Sequence, residues 1–469
     1  MRDPQLVAIT VATLVYCLAL VAMEARSERL VSPLALIASL SIIHFCVPGF
    51  LAGFDTEYSF INPENEIYRT EAMLFVFSTL VALHIGVWGV AREAPRLFAK
   101  KAAGMCREWR SVNVLLVTGL LALVGWVTRA HVIASHAYFQ FARAVQGELE
   151  GPWYAAIRMA ELLPMHALFI LVIHATGSRQ ADSKGWRTMV RLATLLELAY
   201  WLPTGRKEET ILIILIPILI RYLRTGLIPS WRSMTVFVAF VAALFPLAFY
   251  YRFVLQKVVL VSDDIWQAVP IALAALDAGA AEDAEETVGQ ILLQRMDLLE
   301  SVSASIALID RGQWPLDLGG SYALALLSMA PRVFWPSKPD FHYGTEFGHA
   351  SGIITNSNDW FTSISVTFAG EAFLNFSWLG CLVFVMLGGV YGLLYEWARR
   401  SRLPQTGALL YAITLPTILF LGGTFALHIG GLMKFLPFYL AVGWLMVQPF
   451  PPLASGSGSM PPAVAADRT

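Results

Sequence analysis

"LAYWLPTGRKEETILIILIPILIRYL" occupies residues 198–223, and two apolar runs meet in it at a short hairpin. Four consecutive charged residues, Arg206, Lys207, Glu208 and Glu209, stand at that hairpin. Flanks this poor in charge read as membrane-crossing helices, since inside a bilayer every backbone N–H and C=O must be paired within the segment. The reading extends to the whole chain. Of its 469 residues, 57% are hydrophobic and 14% charged, against roughly 45–50% and about 25% in soluble domains. The expected fold is therefore an all-α polytopic membrane protein.

A spanning helix needs about 20 mostly apolar residues. That criterion places helices near 5–23, 30–52, 70–91, 112–128, 154–176, 188–204, 209–224, 233–255, 363–395, 404–424 and 428–449, about eleven in all. The stretch "REAPRLFAKKAAGMCREWR", 92–110, is the most basic loop and is assigned to the cytoplasm, because Lys and Arg are retained on that side. Alternation then puts Arg179, Lys184, Arg187, Arg191, Arg221, Arg224, Arg232 and "RRSR" at 399–402 inside as well. It puts the N-terminus and 53–69, 129–153, 205–208 and 256–362 outside, and the C-terminus inside.

Four regions follow: transmembrane helices 1–8 over 1–255, an outer loop over 256–362, helices 9–11 over 363–450, and a disordered Gly/Ser/Pro-rich tail over 451–469. The outer loop carries an acidic patch, "DAGAAEDAEE", and "ILLQRMDLLESVSASIALI" with helical spacing of its apolar residues. Its expected form is a set of interfacial helices packed over the mouth of the bundle, with Trp314, Trp335 and Trp360 at the membrane surface.

A formal net charge of −1 gives no basis for a nucleic-acid partner. Cys17, Cys46, Cys106 and Cys381 have neither metal-ligand spacing nor a disulfide pattern and read as small buried hydrophobes. Metal-protease, nucleophile-elbow and phosphate-loop motifs are absent from the sequence. The scattered histidines, among them His44, His84, His166 and His174, read as packing residues. Neither a metal nor a cofactor is expected.

With this topology Arg129, Arg143, Arg206, Lys207, Arg252, Arg295, Arg332 and Lys338 face outward, against the positive-inside tendency. Such cations suit an anionic group presented from the outer leaflet, and the planar guanidinium fork makes bidentate bonds to phosphate oxygens. The competing reading is that Arg206 and Lys207 pair with Glu208 and Glu209 at the surface. Arg295 has a similar local choice in Asp297 or Glu300, and Lys338 can be a simple anchor between prolines. Arg158 and Glu161, three apart on one helix face, are expected to pair internally.

"PTGRKEETILIILIPILIRYL", 203–223, resembles the Gly-[Ser/Thr]-Arg signature that opens a helix in bacterial oligosaccharide repeat-unit polymerases, the Wzy-like or O-antigen polymerase family. "GGSYALALLSMAPRVFWPSKP", 319–339, is similar to that family's Gly-x-Ser-Tyr … Pro-Arg-x-x-Trp-Pro-x-Lys-Pro segment. "SVTFAGEAFLNFSWLG", 365–380, resembles its Gly-Glu-x-x-x-Asn-Phe-x-x-x-Gly entry into a late helix. The resemblance covers most of 190–395.

It implies transfer of a glycan from a polyprenyl diphosphate to a hydroxyl on a second lipid-linked repeat unit, at the periplasmic face of the inner membrane, without metal or nucleotide sugar. Membrane lipids, a flippase and a chain-length regulator are the partners it implies. Arg206, Arg332 and Lys338 are then candidates to stabilise the departing diphosphate, with Arg295 and Lys207 behind them. Glu371 is the candidate general base, oriented by Asn375, with His349 and Asp359 in reserve. Against the base role stands a helix-cap or helix–helix hydrogen bond for Glu371. A ligase that hands finished glycan to another acceptor remains an alternative, as does a transporter or flippase. The one-sided distribution of unusual charges does not match the inverted repeats common among transporters.

Overall fold

A computed structural model describes residues 3–54, 62–99, 108–135, 138, 154–177, 184–204, 206–227, 235, 239, 270, 296–328, 330, 335, 343–359, 363–401 and 403–447. Within them the chain is helical: α1 (Pro4–Arg26), α2 (Pro33–Ser41), α3 (Val47–Phe54), α4 (Arg69–Ala99), α5 (Ser111–Ala134), α6 (Tyr154–Glu161), α7 (Leu163–Gly177), α8 (Lys184–Trp201) and α9 (Lys207–Thr225) come first. They are followed by α10 (Leu298–Asp310), α11 (Gly320–Ser328), α12 (Tyr343–Ala350), α13 (Phe368–Phe376), α14 (Cys381–Arg400), α15 (Pro404–Leu419) and α16 (Phe425–Val447). Seven helical stretches among the described residues are long and apolar enough to cross a membrane: 4–26, 33–54, 63–96, 111–134, 156–176, 368–400 and 429–447. The protein is an all-α polytopic membrane protein. Expected helices 188–204, 209–224 and 404–424 appear as α8, α9 and α15, which are not among those seven. The span expected at 233–255 lies outside the described residues apart from 235 and 239.

Short polar residues start the helices. Asp3 accepts the Gln5 and Leu6 amides ahead of Pro4, and Ser32 accepts the Ala35 amide ahead of Pro33. Each supplies an oxygen to the first turn, and each proline occupies a position whose N–H would be unpaired anyway. Gly226, at φ 66°, closes α9 in the left-handed conformation.

The central seam is α4 against α14. A Cβ on Gly86 would lie 2.1 Å from the Val385 carbonyl oxygen, and one on Gly388 would lie 2.3 Å from that of Leu83. Backbones this close need small residues. In lipid, where burial of apolar surface does not drive helices together, such van der Waals contact does.

Two expected elements differ. The run 363–395 begins its helix only at Phe368 and breaks at Ser377, whose φ is 51°, through a short 3₁₀ turn, Ser377–Gly380. The break lets Gly380 approach the Ala372 carbonyl, where a Cβ would sit at 2.2 Å. The second difference is α10. Leu298 to Leu308 are all buried, whereas a helix lying on a surface leaves one face exposed. Its serines make this possible, because Ser303 and Ser305 return their hydroxyls to the carbonyls of Leu299 and Ser301. Cys17 and Cys46 are buried as expected, but Cys381 is only partly so.

The connections fall into two groups, as the alternating topology requires. At one end Arg29 reaches Glu396 at 2.6 Å, Tyr411 donates to the Val31 carbonyl, and the Arg110 amide donates to the Met446 carbonyl. At the other, Tyr68 donates to Asp310, the Asn62 side chain to the Ser351 carbonyl, and the Asp3 amide to the Gly53 carbonyl.

Candidate functional site

The second end holds a buried polar cluster built by α11 and α13. Thr367 starts α13 and accepts the Gly370 amide at 2.9 Å, with φ at 66°. A β-branched residue in the left-handed region is uncommon and costs energy. Leu318 (φ 47°) precedes α11 and Ser377 (φ 51°) follows α13. So three of the four non-glycine residues with positive φ among the described residues flank this one cluster. Strain of this kind persists only where surrounding contacts impose it.

Those contacts centre on Glu371, which has no exposed surface. Ser321 donates to its Oε1 at 2.6 Å, and the Phe425 amide, in the first turn of α16, donates to its Oε2 at 2.5 Å. Asn375 donates to the Ser321 hydroxyl and to the Glu371 carbonyl, each at 2.8 Å, and accepts the Gly319 amide at 2.9 Å. The carboxylate thus ties α11, α13 and α16 together, with its charge at a helix N-terminus. Two phenols adjoin it. Burial first, and then the Glu371 carboxylate, push Tyr322 and Tyr343 up from the ordinary tyrosine value, so both stay protonated.

A second cluster lies among α5, α6, α8 and α9. Arg129 is fully buried and pairs with both oxygens of Glu197 at 2.7 Å, while its Nε donates to the Glu161 carbonyl at 3.1 Å. Its guanidinium carbon lies 4.2 Å from the Tyr200 ring centroid. Glu161 accepts from Arg158 at 2.6 Å and from the Tyr200 hydroxyl at 2.7 Å. Arg206 sits at the rim of this cluster, 31% exposed, paired with Glu209 at 3.1 Å and 5.3 Å from the Trp201 ring. The Thr204 hydroxyl accepts the Arg206 amide and so shapes the turn into α9.

The expected site residues therefore separate. Glu371 and Asn375 share one cluster, and Arg206 belongs to the other. Asn375 acts on the carboxylate through Ser321 and through the backbone of Glu371. His349 Nε2 lies 2.9 Å from the Asp359 carbonyl, joining the two reserves to each other. Arg295, Arg332 and Lys338 lie outside the described residues, as does the side chain of Lys207. The internal Arg158–Glu161 pair is present. Arg129 requires correction: it is not an outward grip, because its guanidinium is enclosed and engaged by Glu197. Glu371 makes the helix–helix hydrogen bonds that stood as the competing reading to a base role. Among the described residues, no group of three or more His, Cys, Asp or Glu side chains could hold a metal ion.

The chain matches no family model, and neither a curated protein nor a solved structure matches it.

Sequence reading passed over Ser321, Glu197 and Trp201. Glu197 carried a usable signal, being the only charge between Arg191 and Arg206. An unpaired charge in a membrane helix calls for a partner of opposite sign. Ser321 stood inside the Gly-x-Ser-Tyr match at 319–322 without an assigned role, because that role comes from a contact across 50 residues of chain.

Proposed function

We propose that this chain is a metal-independent glycosyltransferase of the inner membrane. In this reading it transfers a glycan from a polyprenyl-diphosphate-linked donor to a lipid-linked repeat unit at the periplasmic face. One observation carries it. The two stretches that resemble repeat-unit polymerases, 319–339 and 365–380, interlock residue by residue through Ser321, Glu371 and Asn375. Motifs that merely marked membrane helices would have no reason to share hydrogen bonds.

The acceptor hydroxyl attacks the anomeric carbon, the bond from that carbon to the diphosphate oxygen breaks, and polyprenyl diphosphate departs with its negative charge. Cations held nearby stabilise that charge as it develops. Arg206 and Arg332 fill this role, with Lys207, Arg295 and Lys338 contributing to donor binding. Glu371 takes the acceptor proton. For this it exchanges the hydrogen bond from Ser321 or from the Phe425 amide for one from the acceptor. In this reading His349 contributes to substrate binding, and Asn375 sets Ser321. A chain-length regulator and a flippase would work alongside such an enzyme.

The test is a gel of surface and lipid-linked glycans from a strain lacking the gene, beside its complemented parent. Loss of the long-chain ladder with single capped repeats remaining supports the polymerase. Full-length chains stranded on the carrier lipid would make it a ligase, and an unchanged profile would refute glycan transfer. Complementation with Arg206→Ala should leave the ladder missing while the protein accumulates in the membrane.

A further inference from the structure

We propose that Trp201 is a positioning residue that holds the Arg206 guanidinium for an isoprenoid diphosphate, and that the buried Arg129–Glu197 pair fixes Trp201. The proposal rests on the reading of Arg206 as an anion grip. Its geometric basis is a chain of contacts running from the bundle interior to the rim. Arg129 pairs with Glu197 through two 2.7 Å bonds. Glu197 Oε2 in turn accepts the Trp201 indole N–H at 3.3 Å. The same indole ring has the Arg129 guanidinium carbon 5.4 Å from its centroid and that of Arg206 at 5.3 Å. One ring therefore serves two arginines, one without exposed surface and one partly open.

Each link has a physical reason. The electron-rich face of tryptophan is the best aromatic partner for a guanidinium, and it attracts the cation without using its N–H donors. A ring free to rotate about χ1 and χ2 would offer that face only part of the time. The hydrogen bond to Glu197 removes that freedom, and Glu197 is itself fixed by the bidentate fork of Arg129. Trp201 is 1% exposed, so the ring is closely packed. Glu209 supplies the other restraint on Arg206, at 3.1 Å and three residues on. Between the ring and this carboxylate, the guanidinium is oriented before any ligand arrives, and orientation in advance lowers the entropic cost of binding. A lone surface arginine would have to lose its rotamer freedom on binding.

Calorimetric titration of the purified full-length chain with farnesyl diphosphate, in detergent, tests this. Arg206→Ala should weaken binding about tenfold, as expected for loss of a charge-assisted bond to phosphate. Trp201→Leu should weaken it about three- to tenfold. In the Arg206→Ala background, Trp201→Leu should add nothing. Trp201→Phe keeps an aromatic face and loses the N–H, so it should bind between wild type and Trp201→Leu, and it stands in where Trp201→Leu fails to fold. An equal loss from the Trp201 variants in both backgrounds would mean that the ring only packs the bundle, and would overturn positioning while leaving the grip intact. Wild-type affinity in both Trp201 variants would do the same. Wild-type affinity in Arg206→Ala, or absence of binding by the wild-type chain, would overturn the grip and the positioning together.

Discussion

The Ser321 hydroxyl donates to Glu371 Oε1 at 2.6 Å while accepting from Asn375 at 2.8 Å, so one serine joins two residues of a motif 50 positions downstream. Ser321→Ala removes both bonds at a buried site. Leaving a buried carboxylate oxygen short of a donor costs about 1–3 kcal/mol. The expected outcome is a lowered unfolding temperature in detergent together with a shortened glycan ladder. A wild-type melting curve would show that the cluster does not brace α11 on α13.

Glu371→Gln separates charge from shape. The amide oxygen can still accept from Ser321, but the NH₂ group then faces the Phe425 N–H, so one of two hydrogen bonds is lost. The protein should accumulate in the membrane, and chain extension should stop because the base is gone. A full ladder from this variant would move the base to His349 or Asp359, which already contact one another at 2.9 Å.

The Arg129–Glu197 pair makes a sharper demand on stability. Both side chains are almost fully enclosed, and removing one partner strands the other as a buried charge, at a cost of about 3–5 kcal/mol. Arg129→Leu should therefore deplete folded protein from the membrane. The double variant Arg129→Leu/Glu197→Leu removes both charges and should recover most of that loss, since apolar replacement of a whole buried pair is often nearly neutral. Fluorescence-detected size exclusion of membrane extracts distinguishes the two. If the double variant is no better folded than the single one, the bundle depends on more than charge balance.

Much of the architecture was legible because a long apolar run has few physical options. Seven of the expected spans appear as crossing-length helices for that reason. The interruptions were not legible. Nothing in "FLNFSWLG" signals that Ser377 turns left-handed, and nothing in "IIHFC" marks the π-helical turn at Ile42–Cys46 between α2 and α3. Each is a local departure of about one turn or less inside an otherwise apolar run, and hydropathy and periodicity average over such short stretches. For the site, residue types were readable and partners were not. Arg129 looked like an outward cation because its partner, Glu197, lies 68 residues away with no helical spacing to link them. Conversely, Arg206 with Glu209 was readable, since i,i+3 neighbours on one helix face each other.

Sidedness decides whether Arg206 meets a lipid diphosphate from the periplasm, and it follows from Lys and Arg in the loops alone. In the fold, residues 24–32, 109–110 and 396–411 gather at one end, and 53–68 with 310 and 351 at the other. Glu208 is exposed in the first turn of α9, and Arg399 is exposed at the end of α14. Single cysteines at these two positions, with the four native cysteines replaced by alanine, should therefore react with a membrane-impermeant maleimide on opposite sides. Glu208→Cys should label in intact spheroplasts, and Arg399→Cys only after permeabilisation. The reverse pattern would place Arg206 in the cytoplasm and remove the diphosphate grip from the outer leaflet. Labelling of both in intact spheroplasts would break the alternation itself, because positions on one side are separated by an even number of crossings and the topology requires an odd number between the start of α9 and the end of α14.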